Sequence, residues 1–558
     1  MQLSPTHLTV NELLGGRLFR IPDYQRAYAW GPRQRDDLFR DIVAAKESGR
    51  EHFMATVVAL ALDKRLIGAD AFKTVEIVDG QQRLTTLIIL IKAIEKALSK
   101  DQAQEKVRLD LRNLLVKNDD HSLVLLQTNH DASDVFVDYI RDGKIREDNA
   151  TTAADLRIVD AARECEDFVQ LWLHERTAID LIATIRHQLS MIYHELADET
   201  TVYRVFEVLN SRGLDVKWID KLKSQLMALL FEHLTDDARA EAVHEMRVVW
   251  QDIYRILGLE DKLGDEALRF AGTLALVDRP NRILSEQDAA AEITRVAGAA
   301  QKTIVGAAKS LREVVRAVNT LDRSVRLRAV TRIRHARFVA TAILLGGFEK
   351  STQDRLLGRW ERVTFRIFGL GGADTRHKVG DYVRLGYDIG TGSLSAKEVE
   401  DRLRELGDGW SINEVILGPD YWSDCYNQWT EELRYILFRY DEHLADEAGT
   451  PFDTTQWNKI WAEEASRSIE HIQPQSSQVS YVHHLGNLTM LPPRVNSRLQ
   501  DKSPLEKSST YRGCGLAATR AVGEEIRTAT DKDMEWDEVA VQTRTKRIEE
   551  FVRKEWAD

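Results

Sequence analysis

The stretch that decides the fold of the C-terminal region is SIEHIQPQ, from Ser468 to Gln475, followed by HHLGNLTMLPPRVNSRLQDKSPLEK, from His483 to Lys507. The residues SIEHI favour a short strand, and Pro474 ends it because proline cannot donate to a sheet. GNLTML favours a second short strand, which the two following prolines break. RVNSRL then begins a helical pattern. The order predicts a β-hairpin followed at once by a helix.

Polar residues stand where this predicted unit would bring them together. Glu470 and His471 end the first strand, and Asn496 follows about 25 residues later, in the predicted helix. In a ββα-metal site the acid faces a divalent metal, the histidine deprotonates a water that attacks phosphorus, and the helix supplies a further ligand. The metal stabilises the charge that develops during the attack. The pattern therefore favours a site that hydrolyses phosphodiesters.

These elements resemble the HNH (His-Me finger) domain of the GmrSD-type, modification-dependent (type IV) restriction endonucleases. The resemblance is carried by E-H-I-x-P-Q, by L-G-N-L-T-x-L and by an N-x-x-L element that ends in a lysine. Trp536 and Arg544 near the C-terminus also fit. The resemblance implies a ββα-metal nuclease domain that uses Mg²⁺ or Mn²⁺.

The same resemblance implies a role for individual positions. His471 would be the general base, and Glu470 and Asn496 would face the metal. Asn487 would tie the hairpin loop together by hydrogen bonds, and Lys507 would touch phosphate or complete the fold.

Each of these positions also has a structural interpretation. A histidine after a glutamate on a strand is usually structural, so the ordered set, not His471 alone, supports catalysis. Glu470 could orient the imidazole instead of contacting a metal. Asn496 could cap the helix. His483 and His484 could be ligands, although loop packing or hydrogen bonding explains them as well.

A second motif, IVDGQQRLTTL, lies near the N-terminus between Ile77 and Leu87. The apolar runs from Phe53 to Leu62 and from Thr74 to Val78 predict two strands, and the segment from Gln81 to Leu98 predicts a long helix. A strand, an Asp-Gly turn and a helix present backbone N–H groups at the helix N-terminus, where an anion is favoured. A turn with a surface arginine explains the pattern about as well.

This motif also carries a resemblance, together with IPDYQRAYAW upstream and YRVFEVLNSRGLDV downstream. The three segments, in this order, resemble the N-terminal domain shared by the GmrSD-type family, which is similar to the ParB/sulfiredoxin fold. The resemblance implies binding and hydrolysis of an NTP, GTP or ATP. Its implied nucleotide-binding residues are Asp79, Gly80, Gln81, Gln82, Arg83, Tyr24, Gln25, Arg26, Asn210 and Arg212. Asp220 and Lys223 match the family pattern without an assigned role.

The chemistry of these residues leaves alternatives open. Arg83 would pair with phosphate, whereas Asp79 could hold a metal, polarise water or cap the turn. Gln81 and Gln82 could bond phosphate, base or water. Tyr24 offers a stacking face, and Asn210 lies in a segment that resembles a helix C-cap loop. The chain has no GxxxxGK[ST] sequence, so an NTPase here would not be a P-loop enzyme.

Composition limits the class of protein. The chain has 558 residues, 43% of them apolar and 30% charged, with a formal net charge of −12. The acidic balance argues mildly against a protein that coats DNA, but not against a nuclease that collects metal. Three dispersed cysteines indicate neither a disulfide framework nor a thiolate zinc site. No apolar run reaches the length of about 18 residues that a membrane span requires, and the N-terminus lacks a signal-peptide pattern. We expect a cytoplasmic protein that does not enter membranes.

We therefore expect a multidomain protein, mainly α with α/β parts. The predicted domains are residues 1–235 (ParB/sulfiredoxin-like, binding NTP and sensing DNA), 236–424 (a helical middle region) and 425–558 (an HNH nuclease). The resemblance implies an NTP-regulated, modification-dependent DNA endonuclease of bacterial anti-phage defence, with modified phage DNA as partner. A homodimer would allow both strands to be cut, since one ββα site cuts one strand. The alternatives are a regulatory protein that binds nucleotide or modified DNA through an inactive HNH scaffold, and a nuclease for RNA or host nucleic acid.

Overall fold

The computed structural model describes most of the chain and divides it into two compact units. The described residues are 5–22, 25, 27–67, 70–98, 104–117, 124–128, 134–196, 217–258, 262–532 and 534–557. Unit 1 comprises residues 1–276 and 284–319, and unit 2 comprises residues 277–283 and 320–558. The predicted class, mainly α with α/β parts, is confirmed, because the described residues are mainly helical with a mixed sheet in the N-terminal part. The ParB/sulfiredoxin-like and HNH domain folds stay predictions. The three-domain division at residues 235 and 424 stays a prediction.

Unit 1 contains a six-stranded sheet covered by helices. Its strands are β1 (Pro5–Thr9), β2 (Arg17–Ile21), β3 (His52–Ile67), β4 (Asp70–Asp79), β5 (Leu126–Thr128) and β6 (Leu189–Leu196). The strand order is β1-β6-β3-β4-β2-β5, with parallel and antiparallel pairs. The α-helices of this unit are Val10–Leu14, Pro32–Ser48, Gln81–Leu98, Glu105–Leu115, Asp134–Asp142, Ala153–Leu173, Ala178–His187, Trp218–His233, Asp236–Leu257, Leu263–Ala275, Glu286–Ala297 and Gln301–Arg323, the last of which ends in unit 2.

The core of unit 1 is built around the helix Gln81–Leu98. Almost every residue of this helix is buried, including the apolar run from Leu87 to Ile91. A helix that is apolar on all sides must be surrounded by other elements. It packs against the helix Ala153–Leu173 in the cluster that also holds the central strands. The motif at its first turn therefore rests on a rigid support.

Unit 2 is a helical body that carries one small hairpin. The hairpin strands are β7 (Ile469–His471) and β8 (Leu488–Met490), paired antiparallel. A π-helical segment, Phe365–Leu370, continues the helix before it. The α-helices are Val325–Val330, Arg334–Leu345, Lys350–Thr364, Val379–Gly390, Ala396–Leu406, Ile412–Val415, Cys425–Gln428, Thr430–Glu447, Thr454–Trp461, Pro493–Asn496, Pro504–Arg512, Ala517–Thr530 and Glu538–Glu555. Within the described part of the chain, no helix is both long enough and apolar enough to span a bilayer.

Candidate active site

The hairpin of unit 2 is held by the side chain of Asn487, which is fully buried at the start of β8. Its Nδ2 donates to the carbonyls of Gln473, at 3.0 Å, and Val482, at 2.9 Å. Its Oδ1 accepts from the backbone N–H of Gln473, at 2.8 Å, and from the indole of Trp536, at 3.3 Å. One amide thus satisfies both ends of the loop between the strands, as a buried polar group must.

The helix Glu538–Glu555 closes over the same turn. Arg544 on this helix is buried and donates to the carbonyls of Gly486, at 2.9 Å, and Leu488, at 2.7 Å. Gly486 lies so close to the helix that an added Cβ would stand 2.0 Å from the carbonyl oxygen of Val541. Only glycine allows this approach. The turn that positions β8 is therefore clamped by the last helix.

The hairpin opens onto a cavity of about 610 Å³. Its wall includes Glu470 and His471 from β7 and Asn496 from the short helix Pro493–Asn496. Tyr426 and Gln475 line the same cavity. Three of the residues singled out from the sequence therefore line one cavity, although Asn496 follows His471 by 25 residues in the chain.

His471 is buried at the edge of this cavity, and both of its ring nitrogens have partners. Nε2 lies 3.1 Å from Nδ1 of His483, and Nδ1 lies 3.1 Å from the amide nitrogen of Gln475. Burial lowers the pKa of His471 to about 3, and the neighbouring His483 and Lys507 contribute to the shift. The imidazole is therefore neutral near pH 7, the form in which it can accept a proton.

Glu470 lines the same cavity as His471 but has different hydrogen-bond partners. The carboxylate is buried, and its Oε1 lies 2.8 Å from the ammonium of Lys507 and accepts from the hydroxyl of Tyr511 at 2.7 Å. Burial raises the pKa of Glu470, and the ammonium partly opposes the shift. The hydrogen bonds of the imidazole go to His483 and Gln475, not to Glu470.

Lys507 supports the hairpin from behind. Its side chain is 0% exposed, and Nζ donates to the carbonyl of His471 at 2.6 Å. A fully buried ammonium cannot reach a phosphate in this conformation. Lys507 therefore completes the fold here and joins the two adjacent residues, Glu470 through its side chain and His471 through its backbone.

Asn496 ends its helix rather than beginning it. Its Nδ2 donates to the carbonyls of Arg467, at 2.9 Å, and Ile469, at 3.1 Å. Because carbonyls only accept, the amide nitrogen must face them and Oδ1 must face away. Among the residues that the structure describes, none donates to this Oδ1. Asn496 therefore joins the helix to β7 and keeps one oxygen available.

The second motif lies in unit 1, where β4 passes into the helix Gln81–Leu98. Gly80 joins them with φ 93°, in the region that favours glycine. Gln82 uses both ends of its amide on one loop, accepting from the N–H of Ala29 at 2.6 Å and donating to the carbonyl of Ala27 at 3.2 Å. Gln25, in the same loop, donates to the carbonyl of Val78 at 2.5 Å. These two glutamines tie the loop to the strand and the helix.

Arg83 and Gln81 remain at the first turn of this helix. The guanidinium of Arg83 lies over the ring of Trp30, 5.6 Å from its centroid, and Trp30 itself is part of the core. Burial lowers the pKa of Arg83, and the charges of Asp79 and Asp41 oppose the shift. Oε1 of Gln81 is buried, and no donor for it occurs among the described residues.

Comparison with protein families matches both ends of the chain. The model of the GmrSD restriction endonuclease N-terminal domain matches residues 10–227, and the model of the C-terminal domain of these endonucleases matches residues 420–551. The chain belongs to the GmrSD restriction endonuclease family. Membership implies a nuclease of phage defence whose target is DNA. A search of curated proteins found no match.

The GmrSD N-terminal match covers residues for which the structure gives partial information. Tyr24, Arg26, Asn210 and Arg212 lie outside the described residues. Lys223, within the match, is buried; its Nζ lies 3.5 Å from the carbonyl of Gln25 and 5.3 Å from the ring centroid of Tyr254.

Asp220 completes this group. Its Oδ1 accepts from the Tyr254 hydroxyl at 2.6 Å. Asp220 and Lys223, which had no role from the sequence, therefore stand beside the loop that holds Gln25. Long-range proximity of this kind leaves no local signal in the chain.

The GmrSD C-terminal match covers contacts that the sequence analysis did not assign. His483 was interpreted as a residue for loop packing or hydrogen bonding, and the structure shows a hydrogen bond between it and His471, a partner that the sequence did not indicate. Tyr426 was not singled out, although its ring stacks on His483, with centroids 5.4 Å apart, and meets His471 edge-on at 4.6 Å. Gln475 is the last residue of the E-H-I-x-P-Q motif, and its place in that motif was the sequence evidence that could have marked it as a site residue.

Proposed function

We propose that this GmrSD protein is a divalent-metal-dependent HNH DNA endonuclease, regulated by an NTP and directed to modified phage DNA. The observation that carries the proposal is the shared cavity of about 610 Å³, which joins His471, Glu470 and Asn496. The cavity has the volume to take a phosphodiester and water, and its wall includes the cationic side chains of Arg467 and Arg494. We expect the protein to act in the bacterial cytoplasm, and a dimer would allow both strands to be cut.

The donor set fits Mg²⁺ or Mn²⁺. Both contacts of the Glu470 carboxylate fall on Oε1, and Asn496 keeps Oδ1, so two oxygen donors remain on the cavity wall. In the described part of the chain, no group of three or more His, Cys, Asp or Glu could hold a metal. Mg²⁺ commonly takes one or two protein oxygens and completes its shell with water and substrate phosphate. Glu470 and Asn496 would hold the ion, which would supply Lewis-acid stabilisation of the developing charge.

The chain's own residues account for the proton transfer. His471 is neutral, lines the cavity and would take the proton of a water as its oxygen attacks phosphorus. Gln475, which is exposed, lies at Nδ1 of His471 and would move aside for that water. Asn496 is hydrogen-bonded to the backbone beside Glu470, at Arg467 and Ile469, so the two side chains would keep a fixed spacing. The ammonium of Lys507 opposes the rise that burial causes in the pKa of Glu470.

For unit 1 we propose binding and hydrolysis of GTP or ATP at the segment from Asp79 to Arg83. The N-terminus of an 18-residue helix favours phosphate, and Arg83 supplies a guanidinium there. The buried Oε1 of Gln81 would accept a hydrogen bond from a donor group of the nucleotide. Sensing of a DNA modification would belong to the same unit.

The nuclease proposal is tested with the full chain, Mg²⁺ or Mn²⁺, and matched DNAs that are unmodified, glucosylated or phosphorothioated, each with and without NTP. His471→Ala should abolish cleavage, whereas His484→Ala, the adjacent histidine, should retain it. Undiminished cleavage by His471→Ala would refute the assignment of the base. An RNA panel separates DNA restriction from an RNA nuclease.

The nucleotide proposal is tested by NTP hydrolysis. Arg83→Ala should lose most of the rate, whereas Arg163→Ala, an exposed arginine of the same unit paired with Glu147, should keep it. Equal rates in wild type and Arg83→Ala would remove Arg83 from the mechanism.

A second candidate function is a regulatory protein with an inactive HNH scaffold. The ion pair between Glu470 and Lys507 favours it, because a carboxylate bound to an ammonium is a weaker metal ligand. Isothermal titration of the full chain with Mn²⁺ separates the two. Binding that Glu470→Gln and Asn496→Ala both weaken favours the nuclease, and absence of binding and of cleavage favours the regulator.

A further inference from the structure

The general base of the proposed nuclease lies between two hydrogen-bond partners. One is His483, whose Nδ1 lies 3.1 Å from Nε2 of His471. The other is Gln475, whose amide nitrogen lies 3.1 Å from Nδ1 of His471 and, more distantly, 3.5 Å from its Nε2. Gln475 is exposed and lines the cavity, so Nδ1 is the nitrogen on the substrate side. The shortest contact of Nε2 is with His483.

The direction of these two hydrogen bonds follows from which atoms can donate. An amide nitrogen donates and does not accept, so Nδ1 of His471 accepts from Gln475. A neutral imidazole carries one proton, which then sits on Nε2. That N–H points at Nδ1 of His483, which must accept. His483 consequently carries its own proton on Nε2.

Tyr426 packs against both imidazole rings. It stacks on His483 with an angle of 11° between the planes and meets His471 edge-on at 65°. The two imidazoles stand at 73° to each other. A ring held on its face by an aromatic neighbour has little freedom to rotate, so the acceptor stays aimed at His471.

We propose that His483 is a positioning residue, which accepts the Nε2 proton of His471 and so keeps Nδ1 as the proton acceptor facing the substrate. The inference rests on the proposed nuclease function of this site and deepens it. Without an acceptor at residue 483, the His471 ring can take the other tautomer, which carries its proton on Nδ1. Nδ1 then cannot accept a proton from the attacking water. The same logic applies to partners that fix the tautomer of catalytic and metal-bound histidines.

Three variants of the full chain test the proposal in the cleavage assay. His483→Leu removes the acceptor, and we expect kcat to fall about 10- to 100-fold, the usual loss when such a partner is removed, with KM within about twofold. His483→Asn places an amide oxygen near the position of Nδ1, and most of kcat should return. His484→Leu alters the adjacent histidine, which has no contact with His471 among the described residues, and should leave kcat unchanged.

A spectroscopic measurement does not depend on cleavage. Nitrogen-15 shifts of labelled histidine, assigned with His471→Ala, report which ring nitrogen carries the proton. We expect His471 protonated on Nε2 in wild type and in His483→Asn, and a mixture of tautomers in His483→Leu.

Several results would overturn the proposal. These are a wild-type His471 protonated on Nδ1, an unchanged kcat in His483→Leu, or equal losses in His483→Leu and His483→Asn. If wild type cleaves no nucleic acid, the proposed nuclease function fails. The nitrogen shifts then still decide the direction of the hydrogen bond, so the two failures are distinguishable.

Discussion

Replacing Lys507 with methionine isolates the buried ion pair behind the hairpin. The two side chains have similar length, so the substitution removes the charge and little volume. Lys507 is 0% exposed, and Nζ stands 2.8 Å from Oε1 of Glu470. In Lys507→Met the carboxylate would keep only the hydroxyl of Tyr511 as a described partner, and the carbonyl of His471 would lose its donor.

The structure sets the size of the effect. At a separation of 2.8 Å and an effective dielectric constant of about 20, two unit charges attract by about 6 kcal/mol. Desolvation of both groups offsets part of this in the intact pair. Removing one partner of a buried pair leaves the other uncompensated and costs about 3–5 kcal/mol. We therefore expect Lys507→Met to lower the free energy of unfolding of unit 2 by about 4 kcal/mol.

The assay is urea unfolding of the full chain in EDTA, followed by tryptophan fluorescence. Lys502→Met, an exposed lysine close by in the sequence, is the control and should stay within about 0.5 kcal/mol of wild type. Glu470→Gln completes a double-mutant cycle. The loss of unfolding free energy in the double variant should be smaller than the sum of the two single losses by at least about 2 kcal/mol. A loss under about 1 kcal/mol in Lys507→Met, or additive losses in the cycle, would refute the argument.

Three further predictions concern other parts of the structure. Gly486→Ala puts a methyl group 2.0 Å from the carbonyl of Val541, and it should cost about 3 kcal/mol in urea unfolding, whereas Gly513→Ala, whose Cβ would meet only ordinary contacts, should change stability by less than about 1 kcal/mol. Burial lowers the pKa of His335 to about 4, below its unfolded value of about 6.5. The free energy of unfolding should therefore fall by about 3 kcal/mol as the pH drops from 6.5 toward 4, because the unfolded chain takes up the proton first. His335→Phe should remove this part of the pH dependence of unfolding, and an unchanged slope would contradict the prediction. Gln82→Met should break both hydrogen bonds to the loop at Ala27 and Ala29 and raise the rate of limited proteolysis there, with protection equal to wild type as the opposing result.

The elements with strong local patterns were predictable from the sequence. The apolar run from Phe53 and the segment from Gln81 correspond to β3 and to the helix Gln81–Leu98. The strands β1, β2, β5 and β6 were missed. They are eight residues or shorter, and their pairing partners lie far away in the chain, as for Pro5 opposite His194. Such strands take their conformation from the neighbouring strand rather than from their own composition.

At the candidate site, the order of residues predicted which side chains share the cavity but not what surrounds them. Glu470, His471 and Asn496 follow from motif spacing. The contact of His483 with His471 does not, because the loop between the hairpin strands could place its histidines in many ways. Burial of Lys507 was also hidden, since a lysine near the end of a motif is usually exposed. Only the packing of helix Pro504–Arg512 against β7 reveals it.

The clamp that Arg544 places on the turn at Gly486 has a consequence for synthesis. The turn at Gly486 is synthesised 58 residues before Arg544, which corresponds to about 3 to 12 s at typical rates of elongation. Until that helix emerges, the carbonyls of Gly486 and Leu488 lack their guanidinium donor and Trp536 has not reached Asn487. A nascent or prematurely terminated chain would therefore fold its N-terminal sheet first and remain without a formed cutting site. If the hairpin is the proposed nuclease site, that site would become competent only after residues 538–555 have been synthesised.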